Sequence, residues 1–299
     1  MSFRVFPRLI VVVALAVTGC GSGAGQVAGA GLGTVHPGTL TVAIQPYAPY
    51  TTYEGDRLTG LDGDIVNAVA RKLGLTVRTK VMDFPGMLAA AQSGRVDVTL
   101  GGVAWTEERG QSGIFTDPPY YSPPALAVHG DKSFQTVEQL ENKRLGTVDG
   151  YVWVDSIKAV RGAKLSVFPD SSSVVEDLKT DRIDVGILDP LIILAVEHDF
   201  PGTDIRTRYL DPPTEQQVAQ HPAFMHFRPY MTSFYLPRGS EKLERAMSAE
   251  IRGMYASGEL TKIIESYGGD PEKFLKPAPG LAATRRGVDR PADWTPPSI

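Results

Sequence analysis

The apolar positions from residue 39 onward follow two alternating spacings. Leu40–Ile44 is a short apolar run of the kind that forms a buried strand. Ile65, Ala68, Val69 and Leu73 then recur at the three- and four-residue spacing of an amphipathic helix, whose end is predicted at Gly74. Single strands that alternate with single helices predict βαβ units and a parallel sheet.

This alternation occurs twice, which predicts two α/β lobes. Ser173 and Glu176 have the spacing of a capping box, so we expect a helix to start there. Two further helices, 240–256 and 259–267, begin no third lobe and are expected to pack on the first. The strands are predicted at 40–44, 77–81, 96–100, 144–148, 164–168 and 183–188. The helices between them are predicted at 65–73, at 87–93, after the turn at 149–150 and through residue 160, and at 173–179.

Residues 277–299 break the pattern. They hold five prolines and little apolar periodicity. Such a segment is typical of a tail that lies on the surface or is disordered.

Composition excludes several classes of protein. The chain is 42% hydrophobic and 21% charged, which is incompatible with wholesale disorder. Its formal charge is −4 and no basic stretch stands out, so we expect no nucleic-acid partner. The five histidines form no metal-ligand pattern, and no Walker loop, GxSxG elbow or GxGxxG after a strand is present. We therefore expect no metal, no cofactor and no enzymatic activity.

Residues 1–19 have the features of a signal peptide. Arg4 and Arg8 precede an apolar run of nine residues, Leu9–Val17, which is shorter than the roughly 20 residues that span a bilayer. The end of the segment, Val-Thr-Gly-Cys at 17–20, resembles the bacterial lipobox, whose cysteine is acylated. Cys20 is the chain's one cysteine, and the alternative is a plain secretory peptide.

The segment after this cysteine is rich in glycine and alanine. We expect residues 20–37 to be a flexible tether that holds the protein near a membrane through the acylated Cys20.

Five stretches together resemble the bacterial extracellular solute-binding proteins of family 3, and the resemblance extends over roughly residues 39–271. It implies the type II periplasmic-binding-protein fold: an α/β protein of two lobes, each a mainly parallel sheet flanked by helices, joined by a two-strand hinge. The first lobe would comprise 38–126 and 231–276, and the second 127–230. The stretches are LTVAIQPYAPY (40–50), GLDGDIVNAVARKLGL (60–75), SGRVDVTLGGVAWTEER (93–109), FTDPPYY (115–121) and SGELTKIIESYGG (257–269).

The resemblance also implies a function. Members of this family are monomeric receptors that close on a solute and deliver it to the permease of an ABC importer. Two alternatives stay open: a sensor that presents its liganded form to a membrane partner, and a dehydratase on the same fold.

Arg109 is the first candidate binding residue. Thr106 is a predicted N-cap, and a helix N-terminus beside an arginine is suited to bind a carboxylate. Arg109 matches the carboxylate-binding arginine of the family. The alternative is a surface arginine paired with Glu107 or Glu108.

Asp189 is the second candidate, directly after a predicted strand. It matches the family aspartate that receives the ligand's α-ammonium group. The alternative is a helix N-cap before Pro190. Arg109 and Asp189 from opposite lobes would together recognise a zwitterion.

The resemblance implies further ligand contacts, with core packing as the alternative for the aromatic residues. They come from the side chains of Tyr47, Phe84 and Tyr50, from the backbone of Gly102, and from the loop with Gly150, Tyr151 and Val152.

Three departures from the family pattern bear on the ligand. Ala104 replaces a serine or threonine, and Tyr151 and Val152 replace residues that are often hydroxylated. Gln45 replaces the aspartate common in binders of basic side chains. With Trp153 nearby, these changes favour a bulkier apolar, aromatic or N-alkylated ligand over a basic amino acid.

Overall fold

The structure, a computed structural model, describes residues 31–299. The predicted signal peptide, Cys20 and residues 20–30 of the predicted tether lie outside the described residues. Within the described part, no helix combines the length and the apolar character that crossing a membrane requires.

Strands and helices alternate through most of the described chain. The strands are β1 (Thr39–Ile44), β2 (Thr52–Glu54), β3 (Arg57–Thr59), β4 (Thr76–Val81), β5 (Val98–Thr99), β6 (Ile114–Phe115), β7 (Tyr120–Ser122), β8 (Ala125–His129), β9 (Arg144–Val148), β10 (Lys164–Phe168), β11 (Val185–Ile187), β12 (Ile205–Tyr209), β13 (Tyr230–Thr232) and β14 (Tyr235–Leu236). The α-helices are α1 (Leu61–Lys72), α2 (Phe84–Gln92), α3 (Glu107–Ser112), α4 (Trp153–Ala159), α5 (Ser171–Lys179), α6 (Pro190–Asp199), α7 (Glu215–Gln220), α8 (Glu241–Ala256), α9 (Glu259–Ser266) and α10 (Pro271–Phe274).

These elements form two lobes, each around a five-stranded sheet. The strand order is β4-β1-β5-β14-β6 in the first sheet and β10-β9-β11-β8-β12 in the second. In each sheet one strand runs against the others: β14 in the first and β8 in the second. The antiparallel pair β7–β13 joins the lobes. The predicted fold class is confirmed, and the lobe bounds given above stay a prediction.

The core of the first lobe follows from its apolar pattern. All residues of Leu40–Ile44 are buried, since β1 lies between β4 and β5 with helices on its faces. Helix α1 buries Ile65, Val66 and Val69. Helix α8 returns from the far end of the chain and packs against α1, as predicted.

Three helices begin earlier than predicted: α1 at Leu61, α2 at Phe84, after its N-cap Asp83, and α5 at Ser171. Helix α5 begins at Ser171, and its N-cap is Asp170, whose Oδ1 accepts the Ser173 N–H at 2.8 Å. Aspartate is at least as good an N-cap as serine, so it takes the role that the capping-box pattern gave to Ser173.

The predicted tether is partly folded. The Val35 N–H donates to Oδ1 of buried Asp97 at 2.6 Å, and the Thr41 N–H donates to Oδ2 of the same carboxylate at 2.6 Å. Leu32 packs against the core. Residues 32–37 therefore lie on the first lobe.

The C-terminal segment, residues 277–299, also packs on the first lobe. Arg285 is completely buried: it donates to the Thr116 carbonyl at 2.9 Å and forms an ion pair with Asp289 at 2.6 Å. Trp294 packs with Tyr121 of β7 and Met231 of β13. The segment predicted to lie on the surface or to be disordered thus covers both strands that join the lobes.

Candidate functional site

A narrow pocket lies between the lobes. Its walls come mainly from the segments that follow the carboxyl ends of β5, β9 and β11, where open α/β sheets bind ligands. A wider, open groove continues from it toward the C-terminal segment. The pocket is lined by Phe84, Gly102, Ala104, Arg109, Tyr151, Val152, Trp153, Asp189 and Tyr230.

Arg109 enters the pocket from the first turn of α3. Thr106 caps this helix as predicted, because its Oγ1 accepts the Arg109 N–H at 3.1 Å. The guanidinium donates to the Ala104 carbonyl at 2.9 Å and, across the cleft, to the Gly150 carbonyl at 3.0 Å. Its Cζ lies 5.3 Å from the ring centre of Phe84.

The charge of Arg109 has no acidic partner. Among residues 31–299, no carboxylate oxygen lies within 4.0 Å of its guanidinium, so the predicted alternative of a pair with Glu107 or Glu108 is not formed. Burial lowers the pKa of Arg109 to about 10, which still leaves it a cation at neutral pH.

Asp189 lies opposite, between β11 and α6. Its backbone occupies the N-cap position, but its side chain makes no capping hydrogen bond. Instead, Oδ2 accepts the Tyr47 hydroxyl at 2.6 Å and Oδ1 accepts the Tyr230 hydroxyl. The carboxylate therefore lies in the cleft wall, held by Tyr47 of the first lobe and by Tyr230 of β13, a strand that joins the lobes.

Asp189 is buried from solvent. The residue is 3% exposed, and burial raises its pKa to about 6, against the opposing effect of the two hydroxyls and of Arg109. Within the part of the chain that the structure describes, no basic side chain lies within 4.0 Å of this carboxylate. Neither Asp189 nor Arg109 therefore forms an ion pair with a described residue.

Aromatic rings form a connected wall around these two charges. The Tyr151 ring centre lies 5.0 Å from Phe84, 6.0 Å from Tyr47 and 5.7 Å from Trp153. Trp153 in turn lies 5.9 Å from Tyr230.

At Gly102, the backbone of the first lobe comes close to Asp189 of the second lobe. Gly102 has a φ of 70°, and a Cβ there would lie 3.2 Å from Oδ2 of Asp189. The N–H groups of Gly101 and Gly102 both donate to Oδ2 of Asp62 at 2.8 Å. Burial raises the pKa of Asp62 to about 6. Asp62 thus holds the backbone that faces Asp189.

Of the side chains predicted to contact the ligand, Tyr47, Tyr50 and Gln45 do not line the pocket, although the Tyr47 hydroxyl donates to Asp189 in its wall. Tyr50 stacks behind Tyr47 at 5.4 Å between ring centres, and it does not line the pocket. Gln45 also lies outside the pocket, and its Nε2 donates to the Pro169 carbonyl across the cleft at 3.3 Å.

Sequence reasoning missed Tyr230 and Asp62. Nothing in the local pattern marks Tyr230, because its role depends on the strand pairing that brings β13 to Asp189. Asp62 lies in the first turn of α1 and is fully buried, which the sequence did not indicate because acidic residues are common in the first turn of any helix.

The described side chains offer no metal site: among residues 31–299 no three His, Cys, Asp or Glu side chains come together in a way that could hold a metal ion. The pocket instead presents one cation, one anion and aromatic faces, which suits a small organic ligand with both charges.

Comparison with known proteins gives the family. Residues 40–270 match the family model described as bacterial extracellular solute-binding proteins, family 3. A protein of Campylobacter jejuni named "Probable histidine-binding protein" is 32% identical over 153 residues, which are 50% of this chain and 60% of that protein. The arginine-binding extracellular protein ArtP of Bacillus subtilis is 28% identical over 231 residues, 74% of this chain and 82% of ArtP.

A solved structure supports the same family assignment. An ancestral arginine-binding protein bound to glutamine superposes with a TM-score of 0.67 at 28% identity, covering 79% of this chain and all of that one. The family match spans both sheets and the pocket between them. The chain belongs to the bacterial extracellular solute-binding proteins of family 3, with the type II periplasmic-binding-protein fold.

Proposed function

We propose that this chain is a receptor that binds an amino acid or a related zwitterion between its lobes and delivers it to an ABC importer. One observation carries the proposal: Arg109 and Asp189 face one pocket from opposite lobes, and neither has a counter-ion among the described residues. Unpaired buried charges are costly, and a zwitterion would neutralise both at once. Relatives named as arginine-binding and histidine-binding proteins support this class of ligand.

Calorimetry with the purified full chain in detergent tests the site. We expect one zwitterion among the amino acids and their N-methylated derivatives to bind, and Arg109→Ala to weaken binding at least a hundredfold. Leaving the ligand carboxylate buried and unpaired costs about 3–5 kcal/mol, and each tenfold in affinity is about 1.4 kcal/mol. Exposed Arg78 in β4 supplies the control, Arg78→Ala, which should bind normally.

Two results would contradict the proposal. Unchanged affinity in Arg109→Ala would refute the site. The absence of binding by any zwitterion would refute the ligand class.

We further propose that acylated Cys20 anchors the receptor on the outer face of the cell membrane. The family is described as extracellular. In the producing cell, Cys20→Ser should move the protein from the membrane fraction to the soluble fraction, whereas Ser22→Ala should not.

Uptake of the labelled ligand by cells with and without the gene separates an importer receptor from a sensor. Loss of uptake on deletion is expected. Unchanged uptake, with a lost transcriptional response to the ligand, would favour the sensor.

A further inference from the structure

The acceptors around Asp189 are partly occupied. Each of its oxygens already accepts a tyrosine hydroxyl, one from Tyr47 and one from Tyr230. Nearby, the carbonyls of Ala104 and Gly150 accept the two ends of the Arg109 guanidinium. The Ala104 side chain, which lines the pocket, offers no hydroxyl.

A primary ammonium group has more N–H donors than this arrangement has strong acceptors. It carries three N–H donors, and each needs an acceptor once water is excluded. Asp189 retains free lone pairs on its two oxygens, and the hydroxyls that line the pocket are those of Tyr151 and Tyr230, whose phenol oxygens accept N–H groups more weakly than the hydroxyl of a serine or threonine does. An ammonium group would therefore share the carboxylate with the hydroxyls of Tyr47 and Tyr230, and a third N–H would have only a weak phenol acceptor.

A cation without N–H donors fits better. Its charge would still be attracted to Asp189, and its alkyl groups require no acceptor. The rings of Tyr151, Trp153 and Tyr230 line the same pocket, and aromatic faces attract quaternary ammonium groups. Arg109 would bind the carboxylate at the other end.

From this arrangement we infer that the ligand is a betaine-type zwitterion, a carboxylate whose cationic nitrogen carries alkyl groups in place of hydrogens. The inference rests on the proposed receptor function and narrows its substrate class. Tyr47 and Tyr230 are then positioning residues, which hold the Asp189 carboxylate toward the cation.

Matched pairs of ligands test the inference on the full chain by calorimetry at pH 7.5. The pairs are glycine with trimethylglycine, and proline with N,N-dimethylproline. In at least one pair the methylated member should bind ten times or more tightly than the amine. Trp153→Ala should weaken that binding, whereas Tyr209→Ala, on an exposed residue outside the pocket, should not.

Two conservative variants test the acceptor argument. Ala104→Ser adds a hydroxyl, and Tyr230→Phe frees one carboxylate oxygen. Both should shift the preference toward the amine by threefold or more, a change of ratio that a general loss of stability would not produce.

The outcomes separate the two proposals. If free amino acids bind as tightly as their methylated partners, and Arg109→Ala abolishes that binding, the betaine inference is overturned and the receptor function is supported. If no member of either pair and no amino acid binds, both are overturned.

Discussion

Replacing Arg285 with alanine should detach the C-terminal segment from the strands that join the lobes. The side chain is completely buried, and its guanidinium contacts Asp289, the Thr116 carbonyl and the ring of Trp294, whose centre is 5.4 Å from Cζ. Removing it leaves Asp289 without its cation and Thr116 without this donor.

The size of the effect follows from these contacts. Breaking a buried ion pair costs about 3–5 kcal/mol. The side chain of Asp289 keeps 19% of its surface exposed and also accepts the Trp105 indole N–H at 3.0 Å, so the lower end applies, about 3 kcal/mol. The loss of stability cannot exceed the free energy with which the C-terminal segment docks on the first lobe. Once the segment is undocked, its polar groups are solvated by water and no further penalty arises.

Urea unfolding and limited trypsin digestion measure the two consequences. Arg285→Ala should lower the free energy of unfolding and speed cleavage by trypsin after Arg286, which is followed by Gly287. The control is Arg245→Ala on the exposed face of α8, which should change stability by less than about 0.5 kcal/mol. An unchanged urea midpoint, together with unchanged cleavage, would refute the argument that Arg285 fastens the segment.

Three further predictions concern the pocket. Gly102→Ala should weaken ligand binding at least tenfold, since its Cβ would lie 3.2 Å from Asp189 and its φ is 70°; calorimetry that shows normal affinity would contradict this. Affinity should fall about tenfold for each pH unit below about 6, because Asp189, whose pKa burial raises to about 6, must then lose a proton before it can bind a cation. A titration from pH 4.5 to 8 tests this, and Asp189→Asn should remove the dependence. Asp62→Ala should destabilise the fold by about 2–3 kcal/mol, since it leaves the buried N–H groups of Gly101 and Gly102 without an acceptor; an unchanged urea midpoint would refute that role.

Local patterns predicted the features that depend on neighbours in sequence. The apolar run of β1 and the cap at Thr106 are set within a few residues of themselves. The family resemblance named Arg109 and Asp189, and the structure brings both to one pocket.

The features that sequence did not predict depend on distant partners. Tyr230 reaches Asp189 because β13 pairs with β7. Arg285 donates to the carbonyl of Thr116, 169 positions away, so no local periodicity could predict that its side chain is buried. The start of α5 was mispredicted because Asp170 and Ser173, both suitable N-caps, lie within one turn of each other, and the structure uses Asp170.

The order of strands in the first sheet also bears on how the chain folds. β14 lies between β5 and β6, where Tyr235 pairs with Thr99 and Phe115. Until residues 235–236 are available, the first sheet is split at that place, with unpaired strand edges that favour aggregation. The second sheet uses strands from one continuous stretch, residues 125–209. Because distant pairings form slowly, the second lobe should assemble first, and a chain that stops at residue 230 should contain one finished lobe and one open sheet.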